Sequence, residues 1–151
     1  AASPSGHPQT SSKTLFGGMN MSESKTITFQ ALVSEVLIRH RSILDVMTKL
    51  QESNSKVGRA VAKSVTNCGC LTISAGRQDL PPDTDFLSWK NHMESHLAGE
   101  LCPRCQEILE TELGQTFFYL AALCSLLHLN IDEILEKERA RISTLGLFNL
   151  T

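Results

Sequence analysis

Aromatic residues are scarce in this chain, which has one tryptophan, one tyrosine and 5% aromatic residues in total. Aliphatic side chains must therefore fill most of any hydrophobic core. The rest of the composition, 41% hydrophobic and 20% charged, is that of an ordinary globular protein. A length of 151 residues predicts one domain with a core of its own.

An excess of one charge and a long apolar run are also missing. The formal net charge is −2, and the Lys and Arg residues are scattered, so binding to nucleic acid is not favoured. The longest strongly apolar stretch, residues 117 to 129, is shorter than the roughly 20 residues needed to cross a bilayer. We therefore expect no membrane span.

The first 24 residues are rich in Ser, Gly and Pro and lack both a hydrophobic period and the apolar centre of a signal peptide. We interpret residues 1 to 24 as a disordered tail or a cloning remnant, and residues 25 to 151 as the folded domain. Without a secretory signal, a cytoplasmic location is expected. Clustered cysteines in a reducing cytosol usually indicate metal or redox chemistry.

Apolar residues recur at helical spacing through most of the domain and predict an all-α fold. Five helices are expected, over about residues 28–50, 57–68, 85–97, 103–128 and 130–142. The polar segment QESNS separates the first two, with Ser53 or Asn54 as the cap of the second. Cys102 and Asn130 are the expected caps of the last two. The sequence thus predicts a bundle of four main helices plus a short C-terminal helix, and only residues 70 to 74 are strand-like.

Three glutamates, Glu107, Glu110 and Glu112, lie within two turns of the fourth predicted helix. Magnesium is bound in helical bundles by carboxylates that project inward from facing helices, so these residues are candidates for such a site. The alternative is a solvated acidic face near a helix N-terminus, where the helix dipole favours negative charge. From these residues alone, the solvated face is the favoured interpretation.

Two segments resemble the MazG-like, all-α nucleoside triphosphate pyrophosphohydrolases. The segment TELGQTFFYLAALCSLLHLNIDEIL is similar to the second half of these proteins, with a Glu-Leu-Gly opening, an apolar helix, a short polar break and a second amphipathic helix. Upstream, ESNSKVGRAVAK is similar to their first acidic helix. The resemblance covers about residues 30 to 142, and it implies a MazG-like bundle that pairs into a homo-oligomer.

Enzymes of this family cleave nucleoside triphosphates to the monophosphate and pyrophosphate, with magnesium held by an E-E-x-x-E motif and an E-x-x-D motif. The first motif falls here on Glu52, Ser53 and Lys56, and the second on Glu112 and Gln115. Only Glu52 and Glu112 keep a carboxylate. Two carboxylates beside an ammonium group should bind magnesium poorly, because the ion needs oxygen ligands and charge compensation.

The resemblance therefore implies a helical scaffold with a decayed magnesium site, which binds a nucleotide or a partner protein. The alternative is an active nucleoside triphosphate pyrophosphohydrolase that recruits Glu107 or Glu110 as magnesium ligands.

Four of the five cysteines form two close pairs, Cys68 with Cys70 and Cys102 with Cys105. Two such pairs supply the four ligands of a tetrahedral zinc site. Residues two apart on a helix point about 200° from each other, so Cys68 and Cys70 can share an ion only if the second helix ends near Asn67. The sequence therefore predicts a zinc site made of these four cysteines.

Two other interpretations of the cysteines stay open. They can form redox pairs, which would make the chain a metal- or redox-responsive regulatory module, or they can pack as small apolar residues. His92 and His96, four residues apart on the third predicted helix, are reserve metal ligands. The fifth cysteine, Cys124, lies among leucines and is expected in the core.

Overall fold

A computed structural model of the chain describes residues 25–38, 41–83 and 85–146. Within these ranges the chain forms four α-helices, two short strands, a π-helical turn and a 3₁₀ helix. In chain order they are α1 (Lys25–Val36), α2 (Ile43–Lys63), the π-helical turn (Ser64–Cys68), β1 (Leu71–Ile73), the 3₁₀ helix (Phe86–Asn91), β2 (Leu97–Gly99), α3 (Pro103–Leu126) and α4 (Ile131–Leu145). The prediction of a predominantly helical protein is confirmed, and the predicted tail lies outside the described residues.

The core lies where α1 and α2 pack against the C-terminal half of α3. Its buried members are Val33, Leu37, Val46, Ala121 and Ala122. The two alanines leave room for the neighbouring helices to approach α3 closely, and larger apolar side chains close the core around them. Aliphatic side chains dominate this core, as the shortage of aromatic residues led us to expect.

The predicted single helix over residues 28–50 is wrong, because α1 ends at Val36 and α2 begins at Ile43. Leu37 and Val46 are both buried in the same core. On one straight helix, residues nine apart point about 180° from each other. The chain therefore has to turn between Leu37 and Val46 to bury both side chains.

The polar segment QESNS does not end a helix, contrary to the prediction, and lies in the middle of α2. Ser53 is buried, and its hydroxyl donates to the carbonyl of Leu50 at 2.8 Å. On the outer side, Glu52 forms ion pairs with Lys49 at 2.9 Å and with Lys56 at 3.0 Å. Because Ser53 and Glu52 find hydrogen-bond and ion-pair partners within α2, the helix continues through this polar segment. Neither Ser53 nor Asn54 is therefore a helix cap.

The predicted third helix is also wrong. Only the 3₁₀ helix Phe86–Asn91 forms there, and the chain then continues into β2. This strand pairs antiparallel with β1, so that Leu71 lies opposite Gly99 and Ile73 opposite Leu97. The strand-like residues 70 to 74 find their partner in a segment whose apolar spacing is helical, and pairing across the chain decides the outcome.

The last two helices agree with the prediction at their starts. Cys102 precedes Pro103 at the first position of α3, and the Asn130 side chain accepts hydrogen bonds from the amides of Asp132 and Glu133 at 2.8 and 3.2 Å. Gln30 on α1 accepts from the amide of Ile131 at 3.1 Å. This bond ties α1 to the start of α4.

Candidate metal centre

The four paired cysteines meet where α2 ends and α3 begins. Their sulfur atoms all lie within 4.8 Å of one another, and the Sγ atoms of Cys68 and Cys102 are 3.6 Å apart. A tetrahedral zinc site with Zn–S bonds of about 2.3 Å places its sulfurs about 3.8 Å apart. The four thiols are therefore arranged at close to the spacing that a single metal ion requires.

The end of α2 explains how Cys68 and Cys70 reach the same side. The helix widens into the π-helical turn Ser64–Cys68, and Gly69 then adopts a φ of 71°. This left-handed conformation favours glycine and turns the chain out of the helix. Cys70 thereby leaves the helical path. Cys68 and Cys70 can bind the same ion only if the helix ends in this way.

Strand β2 supports the site at a position whose role the sequence did not reveal. Gly99 has a φ of 87°, and a Cβ atom there would lie 2.4 Å from the carbonyl oxygen of Cys70. Only glycine lets β2 pack this closely against the backbone of a cysteine of the cluster. The strand-like residues 70 to 74 were the one signal in the sequence for a paired strand at this position.

The other two thiols belong to the first turn of α3. Pro103 occupies the first helical position, so Cys102 and Cys105 are three residues apart at the N-terminus and lie on one side of it. The nearby amide of Cys105, followed by the thiols of Cys105 and Cys68, lowers the pKa of Cys102 to about 7. That amide favours the thiolate without forming a full capping hydrogen bond.

Cys68 keeps its proton more tightly than Cys102. Hydrogen bonds with the thiol of Cys102, and then with those of Cys105 and Cys70, raise the pKa of Cys68 to about 12. The thiol of Cys70 donates to the carbonyl of Ser64 at 3.6 Å. Of these two thiols, Cys102 therefore ionises first, and the thiolate is the form that binds a metal.

The chemistry of this donor set points to a closed metal site. Thiolates prefer zinc, iron or cuprous copper over magnesium and calcium, which prefer oxygen ligands. Four cysteine ligands complete a tetrahedron and leave no position for water, which is the pattern of a structural site. Among the described residues, no histidine or carboxylate joins this group.

The reserve ligands His92 and His96 do not lie on one helix. His92 follows the 3₁₀ helix, whereas His96 precedes β2 with a φ of 57°. The Nε2 atom of His96 is 2.9 Å from the side-chain nitrogen of Gln78, and its Nδ1 atom is buried without a hydrogen bond. The four-residue spacing therefore does not place these two rings side by side.

The glutamates that are candidate magnesium ligands by resemblance to the MazG-like family lie on α2 and α3. Hydrogen bonds from Lys49 and Lys56 lower the pKa of Glu52 to about 2, so two ammonium groups compensate this carboxylate. Glu112 is half-buried, and its Oε2 atom is buried without a hydrogen-bond partner. Glu107 and Glu110 are exposed on α3, and Glu110 accepts a hydrogen bond from Gln106 at 2.7 Å.

Cys124, in contrast to the paired thiols, is buried on α3, as predicted. Burial raises the pKa of its thiol.

Within the described residues, no single helix is long and apolar enough to cross a membrane. The pair formed by α3 and Ile131–Thr144 has the length and apolar composition of a span, but the two helices are bent by 104° relative to each other.

Comparisons with family models, curated proteins and solved structures gave no match. The function must therefore be argued from the geometry of the cysteine cluster.

Proposed function

We propose that this chain is a metal-binding helical scaffold in which Cys68, Cys70, Cys102 and Cys105 hold one zinc ion as thiolates. The observation that carries the proposal is the convergence of four sulfur atoms within 4.8 Å from two pairs of cysteines far apart in the sequence. Cys68 is exposed and its three neighbours are half-buried. Apolar packing alone gives no reason for four thiols to gather at a surface.

The bound ion would join three parts of the fold. Cys68 ends the π-helical turn, Cys70 precedes β1, and Cys102 and Cys105 open α3. Because all four ligands come from the protein, the ion stabilises the junction and provides no catalytic water. Its binding free energy then adds to the free energy of folding, as in other structural zinc sites.

The proposal is tested by the zinc content of the untagged full chain, purified without added metal. We expect one zinc per chain, lost in Cys105→Ala and retained in Cys124→Ala. The second variant is the matched control, because it removes a thiol from the same helix at a buried position outside the cluster. A wild-type chain without zinc, or equal zinc content in both variants, would contradict the proposal.

We further propose that the scaffold is MazG-like, with a decayed magnesium site, and that it binds a nucleotide or a partner. The ion pairs of Glu52 with Lys49 and Lys56 support this proposal. Glu52 is one of the two carboxylates that remain from the family motifs, and two ammonium groups already neutralise it. A magnesium ion would meet repulsion from these lysines. Ser53 and Gln115 add no anionic ligand.

A nucleotide screen tests the decayed site against its alternative. We expect no release of pyrophosphate from any nucleoside triphosphate with magnesium or manganese. Turnover that disappears in Glu112→Gln would instead show a working pyrophosphohydrolase. Loss of that turnover in Glu107→Gln or Glu110→Gln would identify the recruited ligand.

A metal- or redox-responsive regulatory module is a second candidate function, favoured by one distance. The sulfurs of the exposed Cys68 and of Cys102 are 3.6 Å apart, so a disulfide between them would join two of the three parts of the fold that the metal joins. Two thiols would give two electrons and two protons to hydrogen peroxide, which becomes two waters. Zinc retention under peroxide, with no disulfide seen by mass spectrometry, would exclude this function.

A further inference from the structure

Helices α1, α3 and α4 leave an apolar groove open at the surface. Its volume is about 430 Å³, which lies within the range of about 300–1,000 Å³ that small-molecule sites occupy. Apolar side chains from all three helices form most of its lining, namely Phe29, Phe117, Leu120, Ile131 and Leu135. The groove shares no residue with the cysteine cluster.

The apolar side chains of this groove are more exposed than those of a packed helix face. Phe117 is 59% exposed, Leu135 53% and Leu120 42%. Phe117 and Leu120 are three residues apart on α3, which is the spacing of residues that pack against another element. The described residues leave about half of this surface open to solvent, and contiguous apolar surface of this kind marks binding sites.

Gly114, within α3, leaves additional space in the groove. It belongs to the lining, and a Cβ atom at this position would meet no neighbouring atom within 4 Å. Glycine is a poor helix former, and packing among the described residues gives no reason for its presence here. The missing side chain leaves room for a bound molecule to approach the backbone of α3 closely.

A single charge at the groove indicates the kind of molecule that it binds. Among the described residues that line it, only Lys25 is charged. Lys25 is the first residue of α1, which has no acidic residue in its first turn, so the helix dipole also favours an anion at this end. The Asp132 carboxylate accepts a hydrogen bond from Thr26 and does not line the groove. An apolar chain with one anionic end therefore complements the groove.

We propose that this groove binds one molecule of a long-chain fatty acid. The hydrocarbon chain lies against the apolar side chains and over Gly114, and the carboxylate pairs with the ammonium group of Lys25. An apolar lining with one polar group that orients the ligand is the usual design of small-molecule sites. Burial of the hydrocarbon supplies most of the binding free energy, and the ion pair sets the orientation. The site does not depend on the metal.

Calorimetric titration of the full chain with dodecanoate, below its micelle concentration, tests the site. We expect saturable binding of one dodecanoate per chain. Lys25→Gln should raise the dissociation constant by roughly tenfold, because a hydrogen bond between charged groups is lost. Dodecanol has the same chain without the charge, so it should bind to the wild type and to Lys25→Gln equally.

A second variant tests the position of the hydrocarbon chain. Gly114→Leu should abolish the binding, because its side chain fills the space that the ligand occupies. Gly58→Leu on α2 is the matched control, since a Cβ atom there also meets no atom within 4 Å and Gly58 lies outside the groove. This control should bind dodecanoate like the wild type. Thermal unfolding shows whether each variant is folded, and the exposed substitution Lys25→Gln keeps the test valid if Gly114→Leu is not.

Three results would overturn the proposal. The first is a wild type that does not bind dodecanoate, whether residues 1 to 24 or a partner protein covers the groove. The second is equal affinity in the wild type and in folded Gly114→Leu or Lys25→Gln. The third is flotation with phosphatidylcholine vesicles in the absence of dodecanoate binding, which would assign the groove to a membrane surface. Zinc content is measured separately, so failure of the metal site and failure of the fatty-acid site are distinguishable.

Discussion

Individual residues without chemical reactivity determine where the four thiols lie. Gly69 turns the chain after Cys68, Gly99 admits the backbone of Cys70, and Pro103 starts the helix that carries Cys102. The thiols supply the ligands, but the backbone at these positions supplies the geometry. Substitutions at these positions should therefore affect metal binding without removing a ligand.

Gly99→Ala should lower the free energy of unfolding by about 2–4 kcal/mol, because alanine is strained at a positive φ and its Cβ would collide with the carbonyl of Cys70. The same change should weaken zinc binding. Urea unfolding and competition with a chromogenic chelator measure the two effects.

Gly58→Ala is the matched control for that substitution. Gly58 lies within α2, and a Cβ atom there has no atom within 4 Å, so alanine should raise the stability by about 0.5–1 kcal/mol. Equal stability of the two variants would contradict the role assigned to Gly99.

The ion pairs of Glu52 can be tested through the pKa of its carboxyl group. Because Lys49 and Lys56 lower its pKa to about 2, the stabilisation from these ion pairs is fully present above the ordinary pKa near 4.5 and is lost as the pH falls through about 2. Carboxyl-carbon NMR should show this low midpoint, and Lys56→Gln should shift it upward. A midpoint near 4.5 in the wild type would remove the structural support for a decayed site.

The cysteine pairs could be recognised from the sequence because identical ligands recur at short spacing. The role of Gly99 could not be predicted in this way, since it depends on the carbonyl of Cys70, which strand pairing brings close. Local spacing reveals what a residue can bind, whereas the space around it depends on the fold.

At the scale of elements, the helix starts that carry a local signal were predictable. Pro103 and Asn130 mark the starts of α3 and α4, and the structure confirms both. The turn between α1 and α2 has only a weaker local signal, because the side chain of Ser42 at the start of α2 makes no capping hydrogen bond. The cause of the turn is the shared burial of Leu37 and Val46. The three-residue strands are too short to show a period against the surrounding helical pattern.

Asn130→Ala should lower the free energy of unfolding by about 1 kcal/mol, because the amides of Asp132 and Glu133 lose their acceptor at the start of α4. Asn54→Ala is the control, since Asn54 lies inside α2, where alanine is the better helix former. Thermal unfolding compares the two variants. A larger loss for Asn54→Ala would restore the helix boundary that the segment QESNS suggested.

At the scale of the whole molecule, zinc should hold together two segments that the helical core does not hold by itself. Removing zinc with a chelator should increase hydrogen exchange at residues 69–74 and 97–105. Exchange in α1 and α4 should change little, because Gln30 and Asn130 hold these helices without the ion. Exchange that rises equally in all helices, or nowhere, would contradict a local structural role.

The fold class could be predicted for the whole molecule because apolar residues at helical spacing dominate the sequence. The arrangement of the helices could not, since residues such as Phe117 and Leu120 have the spacing of a core face and yet lie exposed. One sequence does not distinguish a face that packs within the chain from one that packs against another chain.

X-ray absorption at the zinc edge tests the central claim most directly, because it reports the ligands of the metal in the intact protein. The cluster of Cys68, Cys70, Cys102 and Cys105 predicts four sulfur ligands at about 2.3 Å and no oxygen or nitrogen ligand. A spectrum with nitrogen or oxygen ligands, or a purified chain without a zinc edge, would contradict the account.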